Sequence, residues 1–213
     1  MAEMKCQCVV FDLDGTLLDS EKVILTTFQR VLLKLTGKMY ELPDLKFSWG
    51  IPAADAARQL NISDAVLLQQ NWDAEVERRM DEIHCFQGVE DMLDSLKKSG
   101  VRLGIVTSKT RHELDRGFRM TAYIESKLIV TADQTVKHKQ EPEPLLEVLR
   151  RGNFRATDVI YIGDTVHDAQ CASGAHVAFG LAVWGATSPR NIRADYYFAT
   201  PQEVVSRLNA DDP

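Results

Sequence analysis

Cysteine is scarce in this sequence: four residues in 213, at positions 6, 8, 85 and 171. Cys6 and Cys8 form a C-x-C step, but no second Cys/His pair completes a metal site. Buried free thiols in a reducing cytoplasm are the expectation. Long apolar runs are also missing. The uncharged run Gly174 to Pro189 is broken by His, Gly and Pro, and falls short of the roughly 20 apolar residues of a spanning helix. The start MAEMKCQCVV shows no apolar stretch behind a basic segment, so neither a signal peptide nor a membrane association is expected. Basic residues are in deficit, 25 Lys and Arg against 31 Asp and Glu for a net charge of −6. That balance argues against a nucleic-acid partner, whose phosphates are held with Lys and Arg. There is no internal repeat and no low-complexity tract.

What is present suits a soluble globular chain, with 45% apolar and 26% charged residues, long enough for one core or a core with a smaller insert. Cys8 to Leu13 reads as a strand buried on both faces. Asp19 or Ser20 can cap a helix in which Ile24, Phe28, Val31 and Leu35 recur at helical spacing and which Gly37 ends. Ile51-Pro52 opens a second helix reaching Leu60. Ser63 can cap a third, with Trp72, Val76, Met80 and Ile83 on one face. From Leu17 to His84 no strand pattern is evident.

From Phe86 onward the pattern alternates. Gly88 starts a helix with Val89, Met92, Leu93 and Leu96 inward, closed by Gly100. VRLGIVTS reads as a strand, Arg111 to Arg119 as a helix, KLIVTA as a strand and PEPLLEVLRR as a helix. DVIYIGD, a short helix from Asp168 to Ser173, HVAFGLAV, a strand at Tyr196 to Phe198 and a helix from Pro201 to Leu208 follow. Alternating β and α elements predict an α/β fold with a parallel, doubly wound, Rossmann-like sheet. The helical stretch after the first strand then becomes an inserted cap: residues 1–16 and 86–213 form the core, residues 17–85 the cap.

Ligands of such sheets bind beyond the carboxyl ends of the strands. Four of those ends carry polar residues: Asp12-Leu13-Asp14-Gly15-Thr16, Thr107-Ser108-Lys109, Lys137-His138-Lys139, and Gly163-Asp164-Thr165 with Asp168 one helical turn on. Each alone has an ordinary explanation as a turn, a helix cap or a solvated loop. Together they crowd carboxylates, lysines and hydroxyls at one edge, and that many acids repel one another unless a cation sits among them.

These residues resemble the motifs of the haloacid dehalogenase-like superfamily. Its D-x-D-G-[TV] motif is matched by Asp12, Asp14, Gly15 and Thr16, and its strand-closing Ser or Thr by Thr107, with Ser108 following. Its Lys before a Pro-rich helix start is matched by Lys139 in HKQEPEPLL, and G-D-x-x-x-D by Gly163, Asp164 and Asp168. The resemblance implies Asp12 as a nucleophile that forms an aspartyl-phosphate and Asp14 as the acid–base. Thr107, Ser108 and Lys139 then hold the phosphoryl group. A Mg²⁺ site is implied at Asp12, the Asp14 carbonyl and Asp164, with Asp168 ligating the metal or ordering its waters. Chemistry agrees, since a carboxylate nucleophile divides phosphoryl transfer into two steps and positioned charge supplies most of the catalysis.

Two departures stand out. Gln140 occupies the position where the family usually has Pro after the Lys, which leaves Lys137 as a rival to Lys139. Ser173-Gly174-Ala175 stands where Ala-Gly is common. The second aspartate argues against dehalogenation. A small helical cap is similar to that of the phosphoglycolate phosphatase-like group, which also holds β-phosphoglucomutases and some pyrophosphatases. The absence of His between Leu17 and Ile83 favours a hydrolase over a mutase. The expectation is a cytoplasmic, Mg²⁺-dependent phosphatase of a small phosphorylated metabolite, phosphoglycolate by resemblance. A sugar-phosphate mutase and a non-catalytic binding protein are the alternatives. Lys22, Trp49 and Gly50 are candidate selectivity residues. For Trp49 cap-core packing is the favoured reading, and Lys22 reads equally as an exposed first-turn residue. An inserted cap is compatible with a monomer.

Overall fold

The computed structural model describes residues 6–115 and 123–209. Strand β1 (Cys8–Phe11) lies at the centre of a six-stranded sheet. The other strands are β4 (Arg102–Val106), β5 (Ile129–Val130), β6 (Val159–Gly163), β7 (Ala178–Ala182) and β8 (Tyr196–Phe198), in spatial order β5-β4-β1-β6-β7-β8. Every pairing in this sheet is parallel. After β5 the chain returns across β1 to start β6 on its other side. That reversal opens the crevice in which ligands of such sheets bind.

The apolar run of β1 has the burial its composition implies. Cys8 and Val10 face one cluster, shared with helices α7 (Glu143–Gly152) and α8 (Val166–Gly174). Val9 and Phe11 face the other, shared with α5 (Val89–Lys98) and α9 (Pro201–Asn209). In α5 the residues read as inward, Val89, Met92, Leu93 and Leu96, are all buried. Burying a side chain of this kind contributes about 1.5–3 kcal/mol, so four on one face seat the helix. The four cysteines form no disulfide, and burial pushes Cys8 and Cys171 up to about 12, which keeps both protonated.

Between β1 and α5 lie α1 (Glu21–Thr36), α2 (Leu42–Leu45), α3 (Ala53–Gln59) and α4 (Ala65–Glu77). They bury Ile24, Phe28, Leu32, Leu45, Ala56 and Leu68 in a cluster of their own, in which Phe28 stacks on Trp72 at 4.2 Å between centroids. α1 ends where Gly37 takes φ +69°, the left-handed cap a glycine adopts without penalty.

Several local expectations are corrected. Two short strands, β2 (Leu18–Asp19) and β3 (His84–Cys85), pair antiparallel where the chain enters and leaves the helical segment. At two residues each they are too short for periodicity to reveal, and their pairing is long-range. The four-residue α2 was not evident either. Asp64, not Ser63, caps α4, accepting a hydrogen bond from Leu67 N at 2.8 Å. α4 stops at Glu77, so Met80 and Ile83 leave its face and pack with the sheet cluster instead. The KLIVTA strand is reduced to Ile129–Val130 because Ser126–Leu128 forms a 3₁₀ turn. The helix from Arg111 is described to Asp115; its expected continuation to Arg119 lies outside the described residues. Among the described residues, no helix is long and apolar enough to cross a membrane.

Candidate active site

All four polar strand ends meet above the crevice. Asp12 follows β1 and is buried. Its Oδ1 lies 2.5 Å from Lys139 Nζ and accepts the Leu13 N–H at 2.6 Å. Lys139 is equally buried and also meets Asp168 Oδ1 at 2.9 Å. A buried charge is costly unless paired, and here each partner supplies the other's compensation. Burial pushes the Asp12 carboxyl up, to about 7, against the pull of Lys139. Burial alone would lower Lys139, but Asp12 and Asp168 hold its ammonium above the ordinary lysine value.

Of the three clustered aspartates, Asp168 accepts the most hydrogen bonds. Oδ1 takes Lys139 and the Tyr161 hydroxyl at 2.7 Å; Oδ2 takes the Thr165 backbone N–H at 3.0 Å and the Thr165 hydroxyl at 2.5 Å. The reciprocal bond from Asp168 N–H to Thr165 Oγ1 makes this a capping box at the start of α8. These donors outweigh burial and hold Asp168 below the usual carboxylate range.

Asp164, at the end of β6, is buried under a different pair of donors. Thr16 Oγ1 donates to Oδ1 at 3.1 Å and Trp49 Nε1 to Oδ2 at 3.1 Å. Burial, with Asp12 and Asp168 near, pushes Asp164 well above its ordinary value. Gly15 faces this carboxylate at φ +82°, and a Cβ there would run into the Asp164 oxygens. The glycine of the first motif is therefore required twice, for its backbone conformation and for the room it leaves.

Asp14 is set apart from this cluster. Ser20 Oγ donates to its Oδ1 at 2.6 Å, and Lys109 Nζ lies 3.0 Å from its Oδ2. Asp12 and Asp14 thus have separate partners, one deep and one at the cavity. Thr107 is buried, with its Oγ1 accepting the Lys109 N–H at 3.2 Å. Ser108 donates to the Gly50 carbonyl at 2.7 Å.

A cavity of about 90 Å³ opens over these groups. Asp12, Asp14, Thr107, Ser108, Lys109 and Lys139 line its floor, and Trp49, Gly50, Ile51, Trp72, Val76 and Met80, from the segment between β1 and α5, are among its walls. Of the residues singled out in the sequence, Asp12, Asp14, Thr107, Ser108, Lys139, Trp49 and Gly50 border this cavity, and Asp164 and Asp168 stand behind it. Lys22 is exposed and is absent from the lining. Lys137 is exposed on Glu141 at 3.4 Å, so of the two lysines only Lys139 reaches the aspartates. Lys109, Ser20 and Tyr161 were not anticipated as site residues. Lys109 sits directly after Thr107-Ser108, and Tyr161 two residues before Gly163, but nothing local told them from a loop lysine and a core tyrosine.

One oxygen each of Asp12, Asp164 and Asp168 lies within 4.8 Å of the others. Such an all-oxygen set suits a hard divalent cation. The raised Asp12 and Asp164 carboxyls are those a cation would relieve, whereas the Asp168 oxygens already accept four hydrogen bonds.

The family described as haloacid dehalogenase-like hydrolase matches residues 9–182. Over 212 residues the chain is 26% identical to the pyrophosphatase PpaX of Bacillus velezensis, covering 96% of this chain and 97% of that protein. It superimposes on a Lactobacillus plantarum protein provisionally named a phosphoglycolate phosphatase with TM-score 0.86 and 31% identity, over 95% of this chain and 99% of that one. A Bacteroides vulgatus protein provisionally named a β-phosphoglucomutase shares the fold at TM-score 0.82, with 19% identity over 98% of this chain and 91% of that one. With the match spanning the sheet from β1 to β7 and all four motif segments converging on one crevice, the chain belongs to the haloacid dehalogenase-like hydrolase family.

Proposed function

We propose that the protein is a Mg²⁺-dependent phosphatase that hydrolyses a small phosphorylated metabolite through an aspartyl-phosphate on Asp12. The observation that carries this reading is the division of labour between the two strand-end aspartates. Asp12 is held by Lys139, and Asp14 is turned separately by Ser20 and Lys109.

In the first step an Asp12 carboxylate oxygen attacks phosphorus, and the bond from phosphorus to the leaving oxygen breaks. Asp14, in its protonated form, gives that oxygen its proton. In the second step Asp14 takes a proton from water, which attacks the aspartyl-phosphate and releases phosphate, restoring Asp12. Acid–base help of this kind contributes on the order of 10²–10⁴ in rate. Lys139 neutralises charge beside Asp12, and the Thr107 and Ser108 hydroxyls border the place of the phosphoryl oxygens. Mg²⁺ held by Asp12, Asp164 and the Asp14 carbonyl, with Asp168 behind them, would further neutralise the phosphoryl group and the crowded acids.

Residues 17–85 serve as the cap that covers the cavity, and residues 1–16 and 86–213 as the catalytic core. Closure of such a cap excludes bulk water. The names of the two relatives point to the same class of reaction, hydrolysis at phosphorus, on phosphoglycolate in one and pyrophosphate in the other. A phosphate-release assay with an aryl phosphate, phosphoglycolate, pyrophosphate and hexose phosphates, with and without Mg²⁺, tests the reading. Mg²⁺-dependent release that Asp12→Asn abolishes is expected. Near-normal turnover by that variant overturns the nucleophile, and isomerisation of a hexose phosphate without net phosphate release would indicate a mutase.

A further inference from the structure

One cap side chain reaches the acidic cluster by a hydrogen bond. After α2 and the turn that follows it, Trp49 extends its indole onto the core, where Nε1–H donates to Asp164 Oδ2 at 3.1 Å. Trp49 is only 8% exposed, and Asp164 2%. The other Asp164 oxygen is held from the core, by Thr16 at 3.1 Å. Asp164 is thus oriented by two donors, one on each side of the boundary between core and cap.

A second cap–core hydrogen bond lies one residue away. The Gly50 carbonyl accepts from Ser108 Oγ at 2.7 Å, and Gly50, at φ +78°, has room for nothing larger against Thr165 without displacing it. Both bonds seat the same turn, but only the one from Trp49 ends on a carboxylate of the acidic cluster.

We propose that Trp49 is a positioning residue that couples the seating of the cap to the cation site by orienting Asp164. The inference rests on the reading of Asp12 and Asp164 as cation ligands. A hydrogen bond to a carboxylate is stronger and more directional than a neutral one, so losing Trp49 frees the Asp164 side chain on the Oδ2 side. Each carboxylate oxygen carries two lone pairs, and the oxygen that accepts the indole keeps one for a cation. Linkage is reciprocal: if a seated cap prepares Asp164, a bound cation holds the cap seated by the same factor.

The test uses the full chain without substrate. Mg²⁺ binding is measured by calorimetry, and hydrogen exchange is followed at the amides of residues 49–51 with and without Mg²⁺. Wild type is expected to bind Mg²⁺ and to slow exchange at this turn when it does. Trp49→Phe keeps the ring and removes the N–H. It is expected to bind Mg²⁺ about tenfold more weakly, the size of one hydrogen bond to a charged group, and to lose the slowing at the same Mg²⁺ concentration. In turnover it should raise the Mg²⁺ concentration for half-maximal rate. Ser108→Ala, which removes only the neutral bond to Gly50, should loosen the same amides and change Mg²⁺ affinity less than twofold. If Trp49→Phe does not fold, Trp49→Leu, which carries no side-chain donor, replaces it. Wild-type affinity in the Trp49 variant, or equal weakening by Trp49→Phe and Ser108→Ala, overturns the assignment while leaving the cation site standing. Failure of wild type to bind Mg²⁺ overturns both.

Discussion

The ammonium of Lys139 stands 2.5 Å from Oδ1 of Asp12 and 2.9 Å from Oδ1 of Asp168, with all three side chains buried. Removing one member of a buried ion pair leaves an uncompensated charge and costs about 3–5 kcal/mol. Lys139→Ala is therefore expected to lower the thermal midpoint and to reduce phosphate release by about 10² or more, because Asp12 loses its orientation together with its counter-charge. Lys137→Ala removes an exposed pair with Glu141, which is worth about 0–1 kcal/mol, and should leave both readouts near wild type. Thermal unfolding and a phosphate assay on the two variants check this. A larger loss from Lys137→Ala would contradict the assignment.

Lys139 owes its aim to the turn that carries it. The Glu141 N–H bonds to the His138 carbonyl at 3.0 Å, and Gln140 in the third position has φ +86°. A turn of type II requires that sign of φ there, and glycine or asparagine meets it with least strain. Proline, fixed near −65°, is incompatible with it, which explains why this chain departs from the Lys-Pro pattern of the family. Gln140→Gly is expected to leave stability unchanged or raise it by up to about 1 kcal/mol. Gln140→Pro should lower stability by more than that and reduce phosphate release, because the turn must rebuild and Lys139 moves with it. Denaturant midpoints for the two variants, with the activity of each, decide the matter.

The acidic cluster also sets a pH dependence. Burial raises the Asp12 carboxyl from 3.8 to about 7 in the folded chain. A group that binds its proton more tightly folded than unfolded loses its contribution to stability as pH rises, here between about pH 4 and pH 7. A cation needs the ionised form, so its stabilisation grows over the same interval. The rise in thermal midpoint on adding Mg²⁺ should therefore be larger at pH 8 than at pH 5. Paired thermal scans with Mg²⁺ or EDTA at both values check this, and an equal shift at both would place the cation away from Asp12.

Much of this molecule is written locally in its chain. Apolar runs marked the strands of the main sheet, most clearly the central ones, because a strand buried on both faces needs continuous apolar residues. The spacing of Val89, Met92, Leu93 and Leu96 marked the inward face of α5. The polar strand ends were equally legible, since parallel strands joined by crossovers bring all their carboxyl ends to one edge. That placement, with the family motifs to choose among the residues, leads to the expectation of Asp12, Asp14, Thr107, Lys139, Asp164 and Asp168 in one site. The two-residue strands β2 and β3 were not legible, since their pairing depends on partners more than sixty residues away.

Tertiary structure alone decided how those residues are partnered. Trp49 meets Asp164 across 115 positions of sequence, and Tyr161 meets Asp168 only because α8 folds back over the end of β6. Ser20 looks like a helix cap, yet makes no capping hydrogen bond and gives its hydroxyl to Asp14. Lys22, two residues further on, is exposed to solvent. Periodicity determines which face of an element is buried, and so the architecture. Which hydroxyl, indole or ammonium completes a given carboxylate depends on distances between elements, and those exist only once the elements have packed together.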